Sequence, residues 1–214
     1  MNLLAEKAFQ FAKSGVFTYS DASIWLGGTV SSVRNKIMRA ADSGDIVQIR
    51  RGLYCLSQKW LPSGMSRHLL ANLIYGPSYI SMESALSFHG WIPEAVHSVS
   101  SVSLLRARTF ETPLGFFDYV QVRQTPLLAG VLRVVRSSEE MGSFYMAKPL
   151  KALADYVASR GLEWSGVEPL VDSLRIDEDV LEGVTVRDFE ELEGVYHSAR
   201  ARRFLSGLRK ELGK

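Results

Sequence analysis

The stretch TVSSVRNKIMRAADSG places five polar side chains where they could read nucleic-acid bases: Ser31, Ser32, Arg34, Asn35 and Arg39. Val30, Val33, Ile37 and Ala41 recur at three- and four-residue steps, which predicts one buried stripe on a helix over about Val30–Ser43. The five polar residues fall away from that stripe, small or amide-bearing near its start and basic farther along. Arg and Asn pair bidentately with the major-groove edges of guanine and adenine. In a helix-turn-helix, the early residues of the second helix reach those edges. Thr29 is placed to cap this helix and Gly44 to stop it. Just downstream, Arg50 and Arg51 precede Gly52 at a tight turn between two strand-like runs, IVQI and LYCL. A guanidinium at such a tip touches phosphate or enters the minor groove.

This is binding chemistry, and no comparable signature for bond making or breaking occurs. The four histidines, His68, His89, His97 and His197, show no metal-ligand spacing with one another or with Cys, and there is no HExxH. His89, in SFHGW at a predicted helix end, reads as a packing or capping residue. Ser84 lies in MESAL rather than in a G-x-S-x-G elbow. Phosphate-cradling GxGxxG and GxxxxGK[ST] loops are absent. Glu83 and Glu94 are separated carboxylates without an evident partner. The one cysteine, Cys55, rules out an internal disulfide or a multi-cysteine metal site and reads as a small core hydrophobe. The expectation is a protein that is not an enzyme, with no catalytic residue, metal or cofactor.

The elements that must position the basic residues follow from periodicity. Helices are predicted over about Leu3–Ser14 and Tyr19–Leu26, and the Gly27-Gly28 turn leads into the third helix and the strand pair. That order predicts a winged helix-turn-helix over residues 1–60. Ser57–Ser66 holds Pro62 and Gly64 and reads as a linker. Residues 61–214 are expected to form a second, α+β domain, sheet-rich over 61–147 and helical over 148–214. A helix over about Arg67–Ile74 is broken by Gly76-Pro77, and another begins at Ser81 or Met82 and ends at Gly90. Strand-like runs at Val99–Thr109, Phe116–Arg123, Gly130–Val135 and Ser143–Ala147 predict a small, largely antiparallel sheet, with a turn at Pro113-Leu114-Gly115. Pro149 suits a first helical position, and Leu150, Leu153, Ala154 and Val157 form the buried stripe of the helix that follows. Thr185 with Asp188 resembles a capping box. A last helix over about Ser198–Leu212 packs through Phe204, Leu205, Leu208 and Leu212. On another of its faces Arg200, Arg203 and Lys210 line up, with Arg202 and Arg209 beside them. That face is either a solvated one held by internal ion pairs or a surface for an acidic partner or nucleic acid.

Composition agrees with a globular protein: 46% of residues are hydrophobic and 22% charged. Residues 1–60 hold eight Lys and Arg against four Asp and Glu, whereas residues 151–214 hold ten against thirteen. Positive charge thus gathers at the end expected to meet phosphate. No apolar run approaches the roughly 20 residues that span a bilayer, and no signal-peptide pattern opens the chain, so a cytoplasmic location is expected.

Three stretches resemble the AbiEi-type antitoxins of the abortive-infection AbiE, or type IV, toxin–antitoxin systems: IRRGLYCL, with a basic wing ending in RGxY; GPSYISMESALSFHGWIPEAV, like that family's signature at the start of its second domain; and FYMAKPLKALADYV. The last is similar to an A-x-P-x-KAL-x-D element, here Ala147, Pro149, Lys151, Ala152, Leu153 and Asp155, and departs from it at Leu150, where many relatives carry Glu. The resemblance implies an amino-terminal winged helix that binds inverted repeats in the double-stranded DNA of its own promoter and represses the operon. It further implies a carboxy-terminal domain that antagonises a nucleotidyltransferase-type toxin, without need of a stable complex. The residues alone leave open a ligand- or partner-responsive repressor with no toxin.

Overall fold

The computed structural model describes residues 2–61, 66–94, 96–135 and 142–214. The chain begins with α1 (Leu3–Phe11), β1 (Val16–Thr18), α2 (Tyr19–Leu26), α3 (Val30–Asp42), β2 (Ile46–Arg50) and β3 (Leu53–Leu56). Each helix start has a local cause. Asn2 accepts from the Ala5 amide at 3.0 Å, Thr18 and Asp21 form a reciprocal capping box, and Thr29 accepts from the Ser32 amide at 3.3 Å. Gly44, in the left-handed region at φ 64°, lets the chain leave α3 and turn into β2. The three strands form an antiparallel sheet in the order β1–β3–β2. The first helix stops at Phe11, three residues short of the expected end, because the following segment turns to add β1 to this sheet.

The stripe on α3 is Val33, Ile37 and Ala40 rather than one that begins at Val30 and ends at Ala41. Val30 is 59% exposed, because the first turn of α3 projects beyond the core.

The rest of the chain runs α4 (Arg67–Ile74), β4 (Ser78–Ile80), α5 (Met82–Phe88), β5 (Ser98–Ser103), β6 (Arg108–Thr112), β7 (Gly115–Gln121), β8 (Val131–Val135), β9 (Ser143–Ala147) and α6 (Pro149–Arg160). It closes with α7 (Glu168–Leu174), α8 (Glu178–Glu182), α9 (Val186–Glu191) and α10 (Ala199–Glu211). Among the described residues the sheet has six strands in the order β6–β7–β5–β4–β9–β8. It is larger than expected and mixed rather than largely antiparallel, since β5 lies parallel to β7 and β4 parallel to β9. The expected strand Val99–Thr109 is in fact two. The chain leaves β5 at Ser103 and crosses to the sheet edge as β6, and β7 then returns between them, alongside β5. The expected linker is a 3₁₀ turn over Gln58–Trp60 in its described part, while Pro62 and Gly64 lie outside the described residues.

The two sheets share the strand β3 between their cores. Alternate side chains of a strand point to opposite faces. Tyr54 and Leu56 of β3 enter the core that holds Leu4, Phe17, Val33 and Ile37. Leu53 and Cys55 of the same strand enter the core built on the six-stranded sheet, together with Ile49 of β2. All four side chains of β3 are therefore buried, at about 1.5–3 kcal/mol for each large apolar one. Burial from both sides also pushes the Cys55 thiol up to about 12.

Candidate nucleic-acid interface

On α3, Arg34 and Asn35 lie three and four residues after Ser31, and Met38 four and three residues after them, on the exposed side, opposite Val33, Ile37 and Ala40. Arg39 is exposed beside them. The side chains of Arg34, Asn35 and Arg39 make no hydrogen bond or ion pair with any described residue. Ser31 shares a contact of 3.1 Å with Thr29, and Ser32 is half-buried, its amide committed to the Thr29 cap. The helix thus presents side-chain donors and acceptors on its exposed face. Sequence reasoning passed over Met38, an apolar group 58% exposed in the middle of this face. Apolar contact of that kind suits a thymine methyl.

The β2–β3 hairpin turns at Arg51-Gly52, with Gly52 at φ 79°, a conformation that favours glycine. Arg51 is exposed and its side chain has no partner among the described residues. Arg50 is also exposed and donates to the Arg51 carbonyl at 3.2 Å.

The frame behind this face is fixed by a buried carboxylate. Asp45, 6% exposed, accepts from the Asn2 amide at 3.0 Å, Ser43 Oγ at 3.1 Å and Trp60 Nε1 at 2.9 Å, and pairs with Lys59 at 2.9 Å. The start of α1, the end of α3 and the segment after β3 meet on it. The hydrogen-bonded Lys59 ammonium, helped by Trp60, Asn2 and Ser43, holds its carboxyl well below the usual range against the opposing effect of burial.

The other expected partner surface is divided. Arg200 and Arg203 both reach Glu163, at 2.5 and 3.2 Å, and Lys210 alone of the three is exposed without a described partner. The hydrogen bond from Arg200 pulls the Glu163 carboxyl below its ordinary value.

No family model matches the chain, and no curated protein matches it.

The motif-bearing residues of the second half meet in the interior. Asp155 of α6 accepts from Tyr79 Oη at 2.8 Å and Ser81 Oγ at 2.7 Å on one oxygen, and from Tyr196 Oη at 2.7 Å and Lys151 Nζ at 2.9 Å on the other. Lys151 Nζ also donates to Gln124 Oε1 and, at 2.9 Å, to Tyr196 Oη. The three ammonium donors are thus all used. Lys151 and Asp155 are entirely buried, and Tyr79, Ser81, Gln124 and Tyr196 nearly so. Burial pulls the Lys151 ammonium down while Asp155 pushes it up, and burial with the Asp155 charge lifts the Tyr79 and Tyr196 phenols well above their usual value. Tyr79 and Ser81 belong to the stretch GPSYISMESAL, and Lys151 and Asp155 to the KAL-x-D element, so the polar residues of two separate motifs form one network. Its geometry is that of a tie between β4, α6 and the segment before α10. Sequence reasoning missed it, although the signal was present: a Lys and an Asp four residues apart flanking the apolar stripe of one helix. Leu150, where the resembled pattern has Glu, is itself buried, 3% exposed.

The remaining candidates for chemistry each have partners within the protein. His89 Nε2 lies 2.9 Å from the Ala147 carbonyl, and Ser84 Oγ bridges Ser98 and Ser100 backbone groups of β5. Glu83 pairs with Arg160 and Glu94 with Arg175. His68 packs between Phe88 and Phe144, where burial lowers its pKa. The His97 carbonyl accepts from Arg67, and the His197 amide donates to the Arg123 carbonyl. Among the described residues no group of three or more His, Cys, Asp or Glu is placed to hold a metal, and no helix is long and apolar enough to cross a membrane.

Proposed function

We propose that residues 1–60 form a winged helix that binds double-stranded DNA, with α3 in the major groove and the β2–β3 hairpin as the wing. In this reading the protein is the autorepressor and antitoxin of a type IV toxin–antitoxin operon. The observation that carries the DNA reading is the free exposed face of α3, with Arg34, Asn35 and Arg39 unpartnered, next to a hairpin tip bearing Arg51. Ser31, Arg34, Asn35 and Arg39 contact bases or adjoining phosphates, and Arg50 and Arg51 contact phosphate. Antagonism of a nucleotidyltransferase-type toxin rests on the resemblance of the three sequence stretches, and Lys210, with Arg200 and Arg203 when freed from Glu163, is the surface proposed for it.

Full-length variants separate the two roles. The adjacent open reading frame is induced in cells with wild-type protein, with Arg34→Ala/Asn35→Ala protein, or with neither. The reading predicts growth arrest without the protein, rescue by both forms, and repression of the operon by wild type only. A harmless neighbour, or no rescue by either form, removes the antitoxin role.

A second reading, a ligand-responsive repressor, is favoured by one feature. A crevice of about 460 Å³ lies where the two sheets' units meet, lined by Phe11, Lys13, Asp21 and Trp25 on one side and Leu69 and Leu73 on the other. A small molecule that releases the protein from its DNA while no neighbouring gene is toxic would decide for it.

A further inference from the structure

We propose that the edge strand β6 of the larger sheet, with the turn that leads into it, adds Arg108 and Arg106 to the DNA-contacting surface, so that one duplex is held by both halves of the chain. This rests on the DNA-binding reading above.

Arg108 is the register partner of Tyr119 on β7, which places both side chains on one face of the sheet. That face is the one covered by α4, since Tyr119 Oη donates to the Ala71 carbonyl at 2.5 Å. Phe110 and Tyr75 pack on Tyr119 with ring centroids 5.7 and 5.2 Å away. The Arg108 guanidinium lies 4.7 Å from the Phe110 ring, and Tyr75 Oη donates to the Arg106 carbonyl at 3.2 Å. The Arg108 guanidinium and the Arg106 backbone are thereby held at an aromatic platform centred on Tyr119.

The hairpin packs into the same core. Ile49 and Leu53, which flank the tip, are buried in the core that also holds Tyr119. Arg50 lies close enough to draw the Tyr119 phenol down by its charge, against the larger upward effect of burial. Arg50 and Arg51 at the hairpin tip, Arg106 in the turn before β6 and Arg108 at the start of β6 are all exposed, and none forms an ion pair with a described residue. The carboxylates of the β6–β7 hairpin are on the opposite face: Asp118, the register partner of Thr109, accepts from Thr109 and Ser98, and Glu111 alternates to the same side as Thr109. Like charges gathered without counter-charges repel one another, and a polyanion relieves that repulsion. Guanidinium groups fit phosphate bidentately, and a duplex supplies phosphates continuous with those proposed for Arg51.

The test is anisotropy of two fluorescent duplexes with the full-length protein over a range of salt, one taken from upstream of its own gene and one of random sequence. For Arg106→Gln/Arg108→Gln, the slope of log K against log salt is expected to fall by about 2 and affinity at low salt by roughly tenfold, for both duplexes alike. Arg160→Gln/Arg175→Gln, which removes two exposed charges already paired with Glu83 and Glu94, is expected to leave the slope unchanged. An unaltered slope in Arg106→Gln/Arg108→Gln alongside a reduced slope in Arg51→Gln overturns this inference and leaves the DNA reading standing. Absence of binding by wild type to either duplex overturns both.

Discussion

Lys151 and Asp155, one turn apart on α6, form a salt bridge of 2.9 Å with both side chains wholly out of solvent. Two buried charges are tolerable only because every remaining valence is met, by Gln124, Tyr196, Tyr79 and Ser81. Removing one partner strands the other. Lys151→Met is therefore expected to lower the unfolding free energy by about 3–5 kcal/mol, read by urea denaturation. Lys151→Met/Asp155→Leu is expected to recover part of that loss, because no unpaired charge remains. A double variant no more stable than the single one would show that the network is needed for more than charge balance.

Asp45 makes the amino-terminal unit sensitive to acid. Its folded-state carboxyl is held well below the ordinary value of 3.8, so the stability it contributes is complete above that value and lost as pH falls towards the folded one. Asp45→Asn is expected to cost about 1–3 kcal/mol at neutral pH, with the gap from wild type closing below about pH 4. Thermal unfolding across pH measures this, and a gap that does not change with pH contradicts it.

Leu53 and Tyr54 are neighbours in sequence and belong to different cores. Leu53→Ala is expected to destabilise by about 2–5 kcal/mol. Because β3 serves both cores, the transition is expected to stay single. Fluorescence of variants that keep only Trp25 in the first core or only Trp91 in the second should show the same midpoint. Two separated midpoints would mean that the shared strand does not couple the halves. A cut after residue 60 removes Ile49, Leu53 and Cys55 from the larger core.

Gly207 lies within α10, where alanine ordinarily adds about 1 kcal/mol of helix stability. Here a β-carbon would run into the indole of Trp164, which also packs on Phe204 with ring centroids 5.7 Å apart. Overlap with a large ring outweighs propensity, so Gly207→Ala is expected to be destabilising by about 1–3 kcal/mol and to alter Trp164 emission. A gain in stability would show that the indole gives way freely.

What was legible in the sequence is what short-range chemistry specifies. Thr29 as cap, Gly44 as stop, Gly52 at the hairpin and Pro149 at a helix start each act within a few residues, and the structure has them so. The strands β1 and β4 escaped because three residues give no period to read, and β4 is framed by Pro77 and by Ser81. The break between β5 and β6 escaped because Leu104 and Leu105 continue the apolar run, although the chain there crosses to the sheet edge. The network around Asp155 draws on positions 79, 81, 124, 151 and 196, and only the Lys151 pair is local. At the proposed DNA face, the residue types and their helical spacing were readable. The common core that joins the hairpin to the larger sheet was not, since it depends on β3 packing against both cores.

The central claim is that α3 reads bases, and the direct measurement is footprinting on DNA from upstream of the gene with wild type, Arg34→Ala and Asn35→Ala. The account predicts a discrete site protected by wild type, with each variant losing about 1–3 kcal/mol of preference for that site over random DNA. Protection without sequence preference in the wild type, or full preference in both variants, would contradict it.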